Sequence, residues 1–142
     1  KWVKQSIHYW CPDTKEHKFL GQNVTVAILD TGISPHPDFK DRILSFRDFS
    51  STTGSSEKVL FSFSHFSPLI DNSGHGTHVA GILAGSGLLS SGTYAGIAPF
   101  CNLIIGKVLD QNGNGSIKNV INGIQWIRDI YTQFHIRIIN IS

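Results

Sequence analysis

The sequence contains no methionine and only two cysteines, Cys11 and Cys101. Two distant cysteines give neither a metal-ligand cluster nor a disulfide framework, so both read as thiols. Without a methionine, Lys1 is not a translation start, and the chain is expected to have been cleaved or trimmed at its front. No apolar run reaches the roughly 20 residues of a transmembrane helix, and the N-terminus lacks a signal-peptide pattern. No membrane partner is therefore expected, and localisation stays open between inside and outside the cell. Charge is also scarce: Asp, Glu, Lys and Arg make up 15% of the chain, with a net charge of +2. The basic residues are scattered, so a nucleic-acid partner is not expected either. Between Asp71 and Lys107 there is no charged residue at all, which predicts a largely interior window.

What is present fits one globular domain: 142 residues, 40% of them apolar. Residues 1–20 mix aromatic and charged side chains without a period and are expected to be a packed leader. Val24 to Asp30 is a continuous, β-branched run ending on a carboxylate, as suits a parallel strand buried on both faces. Gly32, Pro35 and Pro37 then turn the chain. Arg42 to Phe49 is a candidate strand, and residues 50–58, rich in Ser, Thr and Gly, are expected to form an exposed loop. Phe61, Phe63 and Phe66 suggest a hairpin arm or a lid.

Residues 71–85, Asp-Asn-Ser-Gly-His-Gly-Thr-His-Val-Ala-Gly-Ile-Leu-Ala-Gly, read as a buried helix, apolar all round, with Asn72 or Ser73 as its cap. His75 sits at its head, and His78, one turn on, is expected to pack inward. A loop over 86–99 leads to another buried strand, Asn102 to Val108. Ser116 caps a second helix whose Ile117, Val120, Ile121, Ile124, Ile127 and Tyr131 recur at 3, 4 and 7. Ile136 to Ile141 is a further strand. Alternating strands and helices of these lengths predict an α/β fold with right-handed crossovers and a mostly parallel sheet.

In such sheets reactive groups collect beyond the carboxyl ends of the strands, where Asp30 lies and where the helix carrying His75 begins. A carboxylate on one ring nitrogen fixes the tautomer and leaves the other nitrogen as a base. The helix N-terminus disfavours imidazolium and the carboxylate favours it. Taken singly, each residue also has a bland reading: a strand-closing turn former, or a structural histidine. Zinc at His75 and His78 lacks the HExxH pattern or a cysteine pair.

As strings, Val26-Ala27-Ile28-Leu29-Asp30-Thr31-Gly32-Ile33 and His75-Gly76-Thr77-His78-Val79-Ala80-Gly81 closely resemble the subtilisin-like serine proteases, whose triad runs Asp, His, Ser along the chain. The resemblance continues through Gly96-Ile97-Ala98-Pro99, Lys107-Val108-Leu109, Gly113-Asn114-Gly115-Ser116, Asn122-Gly123-Ile124 and Ile139-Asn140-Ile141-Ser142. It covers residues 21–142 in register. It implies the N-terminal portion of one peptidase domain, three-layered, with helices on both faces of the sheet, truncated. By it, Asp30 orients, His75 is general base and acid, and Gly113-Asn114-Gly115 lines the track on which an extended polypeptide substrate pairs as an added strand through unpaired backbone groups. Leu109 borders an apolar pocket there, while Ile117 and Val120 read as core.

The family's Gly-Thr-Ser-Met-Ala-like nucleophile motif is absent from these 142 residues, and so is its oxyanion Asn. The 142 residues alone are therefore expected to be inactive and to need the remaining C-terminal half as partner, not least to cover the apolar edge left by the last strand. His36-Pro37-Asp38 matches a motif whose Asp often ligates structural calcium, but residues 86–95 bring no ligand-rich run, so no metal or cofactor is assigned. Two rivals remain. Asp30-Thr31-Gly32 as half of an aspartic protease conflicts with the helices, with Ile33, and with the β-rich scaffold of that class. A noncatalytic module binding peptides or a partner would keep Asp30 and His75 as relics.

Overall fold

The computed structural model describes residues 4, 6, 20–50, 57–59 and 70–142. Most of the 1–20 leader, the aromatic run at Phe61, Phe63 and Phe66, and Cys11 lie outside the described residues. The described residues include five strands and two α-helices with described bounds: β1 (Thr25–Asp30), β2 (Ile43–Asp48), β3 (Glu57–Val59), α1 (His75–Ala84), β4 (Asn102–Lys107), α2 (Ile117–Ile130) and β5 (Ile136–Ile141). They form one sheet in the order β3-β2-β4-β1-β5. All neighbours run parallel except β3, which pairs antiparallel with β2.

The two-residue period of a strand sorts the core into two layers. Val26 and Ile28 of β1, with Leu103 and Ile105 of β4, pack under Ala80 and Ala84 of α1. Ala27, Leu29 and Ile104 face the other way, toward Trp126 and Ile127 of α2. Helices therefore cover both faces, as expected. Full burial of side chains such as Ile28 and Leu29 is worth about 1.5–3 kcal/mol each. The same parity puts Asp30 on the face of Val26 and Ile28, under α1.

Several expectations need correction. Glu57 and Lys58, expected at the end of the exposed loop, open β3 instead; three residues without an apolar alternation are invisible to a periodicity reading. The window between Asp71 and Lys107 is not largely interior: Ile82, Leu88, Leu89 and Tyr94 are exposed. α1 is buried along its small-residue stripe, Gly76, Ala80 and Ala84, not all round. On α2, Ser116 Oγ accepts from Asn119 N at 3.1 Å, as expected. Its buried residues, however, are Gly123, Trp126 and Ile127. Ile117, expected in the core, is 80% exposed, and Ile121, Ile124 and Tyr131 are exposed too. The face centres on Gly123 because Leu29 needs the room: a β-carbon there would lie 3.0 Å from Leu29 Cδ2. Val120 does pack against the core.

The end of α1 is held by Arg42, whose guanidinium donates to the carbonyls of Ala84 at 2.7 Å, Cys101 at 2.8 Å and Asp38. Burial pushes the Arg42 pKa down, against the pull of neighbouring acidic groups. Cys101 is a free, buried thiol, as expected of it.

Candidate active site

Strand β1 ends on Asp30, whose side chain is wholly buried; α1 begins on His75, whose side chain is 53% exposed. The two meet, with His75 Nδ1 2.8 Å from Asp30 Oδ1. A carboxylate oxygen accepts, so Nδ1 carries the hydrogen and Nε2 is left to move a proton. Hydrogen bonding to Asp30, then its charge, raise the His75 pKa above 6.5; desolvation opposes this and the charge of Asp71 adds to it. Asp30 Oδ1 also accepts from Thr31 N at 2.6 Å, whereas its buried Oδ2 has no hydrogen-bond partner among the described residues.

Close approach of β1 and α1 depends on two glycines. Gly32 has φ +121°, and a β-carbon there would lie 2.0 Å from the Ile70 carbonyl oxygen. A β-carbon on Gly76 would lie 2.3 Å from the Gly32 oxygen and 3.2 Å from Asp30 Oδ1.

Neither Asn72 nor Ser73 caps α1. The N-cap is Gly74, in the left-handed region, without a side-chain bond. Asp71 takes the role from three residues upstream. Its Oδ1 accepts from Gly74 N at 2.9 Å, Ser73 N at 3.2 Å and Thr31 Oγ1 at 2.8 Å. Its Oδ2 accepts from Thr77 N at 2.8 Å and Thr77 Oγ1 at 2.5 Å. Partial burial pushes the Asp71 carboxyl up, but these bonds outweigh it and bring the pKa to about 2.

Lys107 closes the floor. In register with Asp30 across the β1–β4 pair, it is buried, and Nζ donates to the carbonyls of Thr31 at 2.5 Å and Leu109 at 2.8 Å. Sequence reasoning assigned no role to Asp71 or Lys107. The signals were there: an Asp two and three residues ahead of turn-forming Ser-Gly, and a lysine ending a buried strand whose interior, Leu103 to Gly106, carries no polar side chain.

His78 is exposed instead of packing inward and lines, with His36, Ile82 and Tyr94, a groove of about 670 Å³. It does not join the Asp30–His75 pair. The segment after β4 leaves directly from the site, Val108 N and Leu109 N both donating to Asp30 O, at 2.9 and 3.2 Å. Leu109 is half-buried and Gly113, Asn114 and Gly115 are exposed. Not all their backbone groups are unpaired as expected. Asp110 Oδ1 accepts from Asn114 N at 2.9 Å, Asp110 N donates to Asn114 O at 2.7 Å, and Gly113 N donates to Asp110 O at 3.1 Å. Gly115 keeps both its backbone groups unused among the described residues. A β-carbon on it would lie 2.5 Å from the Val108 oxygen.

A model of the subtilase family matches residues 21–142. Serine protease AprX of Bacillus subtilis (strain 168) is 46% identical over 106 residues, covering 75% of this chain and 21% of AprX. Subtilisin E of the same organism is 40% identical over 116 residues, covering 81% of this chain and 26% of its own length. Among solved structures, the CspB protease of Clostridium perfringens superposes with a TM-score of 0.74 at 28% identity, over 89% of this chain and 30% of that one. Sphericase gives 0.70 at 30% identity, over 86% and 36%. The chain thus spans between 21% and 36% of the length of these relatives. With α1, α2 and strands β1 to β5 inside the matched span, this chain is a member of the subtilase family of serine proteases, with a subtilisin-like α/β fold.

Proposed function

We propose that the chain supplies the orienting carboxylate and the general base of a serine endopeptidase whose nucleophile lies outside these 142 residues. The observation that carries this reading is the 2.8 Å contact between buried Asp30 and half-exposed His75. Asp30 holds the Nδ1–H tautomer and stabilises the imidazolium that forms. His75 Nε2 takes the proton of the attacking serine hydroxyl and returns it to the leaving amine. The polypeptide substrate adds as a strand along Gly113-Asn114-Gly115, chiefly at Gly115, with Leu109 bordering its side-chain pocket. The C-terminal half of the catalytic domain supplies the serine and oxyanion donor and covers β5.

The calcium of the family motif does not fit the residues present. Asp38 Oδ2 accepts from Gly87 N at 3.0 Å and Oδ1 from Leu89 N at 3.2 Å. The loop thus turns N–H groups toward the carboxylate, whereas a calcium ion asks for six to eight oxygens.

The test is peptide hydrolysis by the intact protein carrying this chain. Turnover near neutral pH that is stopped by a fluorophosphonate and unaffected by pepstatin is expected, and the isolated 142 residues should show none. Pepstatin sensitivity with an acid optimum would favour the aspartic reading. Tight peptide binding without turnover would favour a noncatalytic module.

A further inference from the structure

We propose that Asp71 is a positioning residue for the Asp30–His75 pair, a role that rests on the protease reading above. The pair joins two separate elements, the end of β1 and the first turn of α1, and its geometry is only as good as the joint between them. Apart from the pair itself, the side-chain links across that joint among the described residues converge on Asp71. Thr31 follows Asp30; its hydroxyl donates to Asp71 Oδ1 at 2.8 Å and accepts from Gly76 N, next to His75, at 2.9 Å. Thr77 Oγ1 donates to Asp71 Oδ2 and accepts from Ser34 N at 2.9 Å. Two hydroxyls thus bridge the chain after Asp30 to the chain around His75, and one carboxylate orients both.

Asp71 further accepts from Gly74 N and Thr77 N, donors that the first turn of α1 cannot satisfy internally. Charge-assisted bonds to a helix N-terminus are stronger than neutral ones. An amide at position 71 would have to turn an NH2 group toward one set of these donors. The first turn of α1 could then rotate, carrying His75 away from Asp30.

The experiment compares wild type, Asp71→Asn, Thr31→Val and Thr31→Ser in the intact protein. It reads kcat and KM per folded molecule and the low-field proton resonance of His75 Nδ1–H. Positioning predicts that Asp71→Asn lowers kcat on the order of 10- to 100-fold, since misplacement of about 1 Å costs that much, with KM within about twofold. Thr31→Val moves kcat the same way, and Thr31→Ser, which keeps the hydroxyl, recovers most of that loss. The resonance shifts in Asp71→Asn and Thr31→Val. A role as helix cap alone would lower the melting temperature of both yet leave kcat per folded molecule and the resonance in place, and that result overturns the proposal. If Asp71→Asn does not fold, the Thr31 pair decides by the same criteria. Wild type without peptidase activity would remove the protease reading, while the resonance, which needs no turnover, still decides the positioning role.

Discussion

At the scale of single residues, two ionisable groups act in opposite pH ranges. The His75 pKa is raised by Asp30. The pair's contribution to stability is therefore complete below about pH 6.5 and fades as pH rises through the raised value. As a base His75 must be unprotonated, so the rising limb of kcat/KM against pH is expected above 6.5 in wild type. Asp30→Asn should shift it to lower pH and reduce kcat about 10⁴-fold, as the same exchange does in another triad protease. A limb that stays in place would detach His75 from Asp30. Asp71 behaves oppositely. Its pKa drops from 3.8 to about 2, so its stabilisation is present above pH 3.8 and lost as pH falls through about 2. Urea midpoints of Asp71→Asn should accordingly fall less steeply than wild type over that window.

Elements show how much chemistry depends on absent side chains. Two glycines of α1 separate the effects. A β-carbon on Gly76 would strike the Gly32 carbonyl, whereas one on Gly81 meets nothing within 4 Å. Gly76→Ala is expected to destabilise by about 1–3 kcal/mol and to impair turnover by pushing α1 off β1. Gly81→Ala should stabilise by about 0.5–1 kcal/mol, the helix-propensity difference. Denaturant unfolding of both variants measures this, and equal losses would deny the close packing at Gly76.

The sequence made the four parallel strands, though not the short β3, and the Asp30–His75 meeting legible, because topology alone delivers both residues to one edge of a parallel sheet. Other features depend on contacts that a periodicity does not carry. The buried face of α2 is centred on Gly123, which an apolar count passes over, so the apolar period puts Ile117 inside although it is exposed. The α1 cap is Asp71, reaching over from outside the helix, and neither Asn72 nor Ser73. His78 points to a groove because Ala80 and Ala84, not the bulkier residues, are what β1 and β4 admit.

For the molecule as a whole, the sheet ends on β5 with Ile138 and Ile141 more than half exposed. Isolated surface isoleucines are ordinary, but these stand on an edge strand beside Ile139, and such edges invite pairing. If the rest of the peptidase domain packs there, Ile138→Lys should change the stability of the isolated chain by no more than about 0.5 kcal/mol and destabilise the intact protein by about 2–5 kcal/mol. Equal effects in both would leave β5 as an open edge.

The central claim is that Asp30 and His75 serve a serine beyond Ser142. Mapping the fluorophosphonate adduct on the intact protein by peptide mass spectrometry tests it most directly. The adduct is expected on one serine C-terminal to residue 142 in wild type and is expected to disappear in His75→Ala. An adduct within residues 1–142, or one that forms equally well without the imidazole, would contradict it.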